Sequence, residues 1–145
     1  MAKVVSFHIA KSFGSLELAP ESQGLELSYR PSSDRSEAGL KITVPTSQLG
    51  GLWATARAFL MGHEATDENL ILKQSNGQEV LIKLYRDRGA PREHSENHES
   101  LNEQVWLRIV TGKSEEDRRR IRLSQRDLMS IDLACTTAVQ MAIGG

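Results

Sequence analysis

At 145 residues the chain has the length of one compact domain, long enough to build a hydrophobic core without disulfide staples. Its 39% hydrophobic and 26% charged residues exclude wholesale disorder, and no apolar run reaches the roughly 20 residues that a membrane-spanning helix needs. Lysine and arginine number 18 against 19 aspartates and glutamates, a net charge of -1, so the chain lacks an overall basic excess and any surface for a polyanion must come from how the charges are distributed.

In chain order, residues 4–10 alternate, with Val5, Phe7 and Ile9 on one face, and 11–14 read as a turn. Leu16 and Leu18 mark a second strand that ends near Pro20. Gly24 opens a third, with Leu25, Leu27 and Tyr29 on its core side. A polar loop spans 31–39, and Leu40, Ile42 and Val44 form a fourth strand before an apolar helix. After Gly62 the pattern restarts. Leu70 and Leu72 lie in one strand, Asn76-Gly77 is a two-residue hairpin signal, and Val80, Ile82 and Leu84 form the partner. The stretch from Arg86 to Glu103 is charged and lacks apolar periodicity, which predicts an insertion at about 87–103. Val105, Leu107 and Ile109 resume the sheet, and Ile121 and Leu123 complete it before a second apolar helix.

The two halves share one construction. Ile42 and Val44 precede the first helix as Ile121 and Leu123 precede the second, and Leu49, Leu52, Ala56, Phe59 and Leu60 superpose on Leu128, Ile131, Cys135, Ala138 and Val139. That spacing follows one helical face. Ser124 and Asp127 form a capping box with an acid in the Glu/Gln place, and Thr46 or Ser47 is expected to cap the first helix. The expected fold is α+β, two antiparallel four-stranded sheets each followed by a helix (ββββα-ββββα). It makes one domain, 1–145, of two repeats at about 1–66 and 67–145.

Period-two alternation fixes which side chains leave the core. With the Val, Leu and Ile positions turned to the helices, Lys41, Lys73, Lys83, Tyr85, Trp106, Arg108, Arg120 and Arg122 fall on outward faces. Cations neutralise phosphates without reading sequence, and an aromatic ring is a platform for an unpaired base, so this set predicts a surface for single-stranded nucleic acid. The same lysines and arginines are also what the wet side of any antiparallel sheet carries. Acidic Glu17 and Glu26 make the first sheet the poorer ligand surface.

Other chemistry is sparse. His94 and His98 are spaced as zinc ligands on a helix would be, but nothing apolar holds their segment and no second ligand pair accompanies them, so no metal site is expected. Cys135, on the apolar face of the second helix, excludes an intramolecular disulfide and reads as a small buried hydrophobe. No phosphate-cradling glycine loop, nucleophile elbow or dinucleotide fingerprint occurs, so neither a cofactor nor an enzymatic role is expected. The first residues carry no signal or transit pattern. The expected location is the cytoplasm or a nucleoid, with an organellar or viral origin left open.

At 42–52, ITVPTSQLGGL, and at 121–144, where Leu128, Ile131, Ala134, Ala138 and Gly144 fall in step, the chain resembles the Whirly single-stranded-nucleic-acid-binding family. A weaker echo lies in KSFGSLELAP at 11–20, where Ser12 and Phe13 depart from the family's Lys-Gly-Lys-Ala-Ala-Leu motif. The resemblance implies a tetramer with helices at its centre and sheets projecting outward, binding single strands with little sequence specificity in replication, repair, transcription or annealing. The helices carry more apolar surface than two small sheets need, so Leu49, Leu52, Trp53, Phe59, Leu128 and Ile131 are expected at the subunit interface. The competing expectation is a non-enzymatic protein-interaction or transcription-cofactor module on the same fold. Neither reading involves a membrane.

Overall fold

The structure, a computed structural model, describes residues 5–12, 14–35, 38–62, 68–73, 77–87 and 104–144. These form β1 (Phe7–Lys11), β2 (Gly14–Glu21), β3 (Gly24–Pro31), β4 (Leu40–Pro45), α1 (Leu49–Leu60), β5 (Glu68–Lys73), β6 (Glu79–Asp87), β7 (Gln104–Val110), β8 (Arg118–Leu123) and α2 (Gln125–Gly144). Two four-stranded antiparallel sheets result, ordered β1-β2-β3-β4 and β5-β6-β7-β8, with one helix after β4 and one after β8. The class is α+β. Meanders of this kind need only short connections, and Gly24 shows how tight one is: a Cβ there would run into the Val44 carbonyl oxygen across the sheet.

Alternation along the strands builds the core. Leu16 and Leu18, Leu25 and Leu27, and Ile42 and Val44 turn inward from the first sheet, as do Ile82 and Leu84, Leu107 and Ile109, and Ile121 and Leu123 from the second. Each such side chain contributes about 1.5–3 kcal/mol when fully buried. Tyr29 joins this core, as its place beside Leu25 and Leu27 predicts. Val5, expected on the same face as Ile9, precedes β1 and is exposed.

The helices are exchanged between the repeats. α2 lies chiefly on β1, β2 and β3, α1 on β5 and β6, and the two helices pack against each other. Neither repeat therefore covers its own sheet with its own helix alone. The crossing is tied by polar bonds: Lys11 of β1 is ion-paired to Asp127 of α2 at 2.5 Å, and Trp53 Nε1 donates to Asp132 Oδ1 at 2.6 Å. The Arg86 guanidinium of β6 lies 4.8 Å from the centroid of Phe59 on α1.

The helix ends differ from each other. The Ser124–Asp127 capping box forms as its sequence predicts, Ser124 N donating to Asp127 Oδ2 at 2.8 Å and Asp127 N to Ser124 Oγ at 3.2 Å. The first helix has no such cap. A 3-10 turn over Thr46–Gln48 leads into it without a side-chain cap hydrogen bond, and Thr46 Oγ1 is buried without a partner among the described residues. It ends at Leu60, after which Met61 N donates to the Arg57 carbonyl at 3.0 Å and Gly62 N to the Phe59 carbonyl at 3.2 Å, with Gly62 in the left-handed conformation at a φ of +71°.

Three expectations need correction or placing. β6 runs through Arg86 to Asp87, which pairs with Gln104, and residues 88–103, which make up nearly all of the expected insertion, lie outside the described set. His94, His98 and Asn76 lie outside it too. Leu49, Leu52, Phe59, Leu128 and Ile131, expected at a subunit interface, are at most 7% exposed in this chain and pack in its own core. Trp53 is half-buried and bonded to Asp132. The large apolar side chains that the described parts of the helices leave exposed are Met129, Leu133, Met141, Ile143 and, just past α1, Met61.

Candidate nucleic-acid interface

Sheet register sets the outward residues of the second sheet in rows that cross the strands. Asn69, Lys83, Arg108 and Arg120 are successive partners and form one row. Tyr85, Trp106 and Arg122 form the next, and Ile71, Leu81, Val110 and Arg118 the row on the other side. Neighbouring strands are about 4.8 Å apart, and rows on one face are two residues apart along a strand, so a basic row lies between an aromatic row and an apolar one within a few ångströms.

The basic and aromatic side chains are in contact with each other. The Arg120 guanidinium sits 4.1 Å from the centroid of Trp106. Lys83 Nζ and the Arg108 guanidinium lie 5.1 and 5.6 Å from the centroid of Tyr85. The rings are therefore not bare, as alternation alone suggests, but half-buried and engaged with cations. The Arg120 guanidinium therefore covers the Trp106 ring, which is open to a stacking partner only where the guanidinium moves aside. Tyr85 Oη and Trp106 Nε1 are buried with no hydrogen-bond partner among the described residues.

Seven of the eight predicted residues share this sheet face, and Lys41 does not. Lys41 stands on the outward face of the first sheet, 3.5 Å from Glu26 Oε1. There it helps to line a hollow of about 610 Å³ together with His8, Glu17, Ser28 and Arg30, whose mixed charge does not favour a polyanion. Lys73 is on the second sheet but directly opposite Glu79, so its charge is partly answered within the face. Lys83, Arg108, Arg120 and Arg122 form the uninterrupted part.

Asn69, Ile71, Glu79, Leu81, Val110 and Arg118 also lie on this face and escape the sequence reading. Arg118 extends the basic edge along β8, which begins earlier than Ile121, and Ile71 places a 61% exposed apolar side chain on the same face. The alternation that assigns Arg120 and Arg122 would also find Arg118, two residues before Arg120. The middle arginine of the run points the other way. Arg119 is buried, donating to Thr111 Oγ1 at 2.5 Å, to the Asp117 carbonyl at 3.0 Å and, through Nε, to the Ala38 carbonyl at 3.0 Å. It joins the loop before β4 to the turn before β8 and adds no charge to the outward face.

Among the described residues no cluster of three or more His, Cys, Asp or Glu side chains could hold a metal ion, and no helix is long and apolar enough to cross a membrane. Burial, with Asp132 nearby, pushes the Cys135 thiol up to about 12, so it carries no thiolate reactivity near neutral pH. No family model and no curated protein matches the chain.

Proposed function

We propose that the outward face of the second sheet binds single-stranded DNA or RNA with little sequence specificity, and that the protein acts as an oligomeric binding module rather than an enzyme. The observation that carries this reading is the cross-strand row Lys83–Arg108–Arg120 lying directly beside the row Tyr85–Trp106. A single strand presents phosphates and unpaired bases side by side, and the two rows offer cations for the first and stacking surfaces for the second. A duplex offers only its phosphates, because its bases are already stacked. The Whirly resemblance supports the same ligand class.

Self-association belongs to this reading. Met129, Leu133 and Met141 recur at four- and eight-residue intervals along α2, so they share a helical face, and all three are exposed on the isolated chain. A second copy packed on this stripe leaves the sheet faces outward. The test of the ligand class is a titration of labelled oligo-dT, RNA and duplex at two salt concentrations. Tight single-strand binding that weakens with salt, with duplex a poor competitor, is expected. Absence of single-strand binding at low salt returns the protein-interaction module as the better account.

A further inference from the structure

Phosphate neutralisation and stacking leave two polar atoms of the outward face unused. Tyr85 Oη and Trp106 Nε1 are shut off from solvent and neither has a hydrogen-bond partner among the described residues, although their residues stand directly opposite each other in the β6–β7 register. Native proteins rarely leave buried donors unpaired, and two on neighbouring side chains of a proposed binding face call for an acceptor from elsewhere.

We propose that Tyr85 Oη and Trp106 Nε1 are a paired donor set for base carbonyl oxygens, so that this face discriminates against adenine, the one common base without a carbonyl oxygen. The inference rests on the single-strand reading and goes beyond it, because phosphate contacts and stacking carry no base information. Indole N–H can only donate, and the tyrosine hydroxyl can turn its proton toward the same point. Opposed side chains on an antiparallel pair have Cβ atoms about 4.5–5.5 Å apart, close enough for two donors to converge on one atom. A carbonyl oxygen has two lone pairs and accepts both bonds, whereas a ring nitrogen of adenine has one. Arg120 lies over Trp106, and Lys83 and Arg108 lie by Tyr85. These are the side chains that a phosphate backbone draws to itself, so binding of the backbone turns them from the rings and opens the aromatic row to a base.

The test compares two probes, each an abasic sugar-phosphate strand in which every third position carries hypoxanthine or adenine. The two purines stack alike and differ mainly in O6 against the N6 amine. Wild type should prefer the hypoxanthine probe, and Tyr85→Phe and Trp106→Phe, which keep a ring but lose the donor, should each lower that preference by about two- to tenfold, the worth of one net hydrogen bond. Thermal melts check that both variants fold. Equal affinity of wild type for the two probes, or an unchanged preference in both variants, overturns the paired-donor proposal while leaving the interface standing. If neither probe nor unmodified oligo-dT binds, the interface itself fails and this proposal fails with it.

Discussion

Trp53 and Asp132 occupy the same place in the two repeats and bond to each other. They are separated by 79 residues, the offset that also superposes Leu49 on Leu128, and Trp53 Nε1 donates to Asp132 Oδ1 at 2.6 Å where α1 crosses α2. Equivalent positions of the two repeats thus meet where the helices pack against each other, the same packing in which each helix lies on the other repeat's sheet. The pair also organises its surroundings: Arg57 is 3.5 Å from the same carboxylate oxygen and its guanidinium is 5.4 Å from the Trp53 ring.

Removing this bond should loosen the helix crossing. Trp53→Phe and Asp132→Ala are each expected to lower unfolding free energy by about 1–3 kcal/mol, the range for a part-buried hydrogen bond to a charged group. The double variant should be destabilised by less than the sum of the two, since both remove one interaction. Denaturant melts measure this, and additive effects would show that the two residues act separately.

The adjacent arginines of β8 should behave oppositely on substitution. Arg119→Ala leaves Thr111 Oγ1 and the Ala38 and Asp117 carbonyls without the guanidinium and should cost more than about 2 kcal/mol of stability. Arg120→Ala and Arg122→Ala, on the exposed face, should stay within about 0.5 kcal/mol of wild type. Melting temperatures of the three variants decide the point, and similar decreases in all three would contradict the inward placement of Arg119.

Asp127 gives the fold an acid-sensitive tie. Burial works to raise its carboxyl, but the hydrogen bonds from Lys11 and Ser124 outweigh that and hold it below its ordinary value of 3.8. A carboxylate lowered on folding contributes stability that is present above its ordinary value and is lost as pH falls through its folded one. Stability from this group should therefore be level at neutral pH and decline below about pH 4. Asp127→Asn should cost about 1 kcal/mol at pH 7, as removal of a helix cap does, and flatten the acid limb of a melting curve taken against pH. An equally steep limb in the variant would place the acid sensitivity elsewhere.

The self-association stripe has its own test. Wild type should scatter light as an oligomer at micromolar concentration, and Met129→Ser combined with Leu133→Ser should shift it toward monomer without unfolding it, since both side chains are exposed on the chain. A monomeric wild type removes the oligomer from the account.

Much of the fold was legible because the strands alternate cleanly. Leu25, Leu27 and Tyr29 or Leu107 and Ile109 announce both a strand and its inward face, and the repeat of Leu49 and Leu52 at Leu128 and Ile131 announces the duplicated helix. The exchange of helices was not legible. An apolar helix face shows that it must be covered, not by which sheet, so residues that cover the other repeat's sheet read as spare surface for another subunit. Arg119 was hidden for a related reason. A run of three arginines looks solvated, and it is the Thr111 hydroxyl, the Asp117 carbonyl and the Ala38 carbonyl, brought together by the fold, that accept from the middle one in the interior. Pairing of Arg120 with Trp106 depends on side-chain direction across β7 and β8, which alternation leaves open.

The central claim is that Lys83, Arg108 and Arg120 hold the phosphates of a single strand. The direct measurement is the affinity of wild type, Lys83→Ala, Arg108→Ala and Arg120→Ala for labelled oligo-dT across a series of salt concentrations. Each substitution should weaken binding and reduce the slope of log affinity against log salt by about 0.7 for each phosphate no longer neutralised, with melting temperatures unchanged. Wild-type affinity and slope in all three variants, or no oligo-dT binding by wild type at low salt, would contradict it.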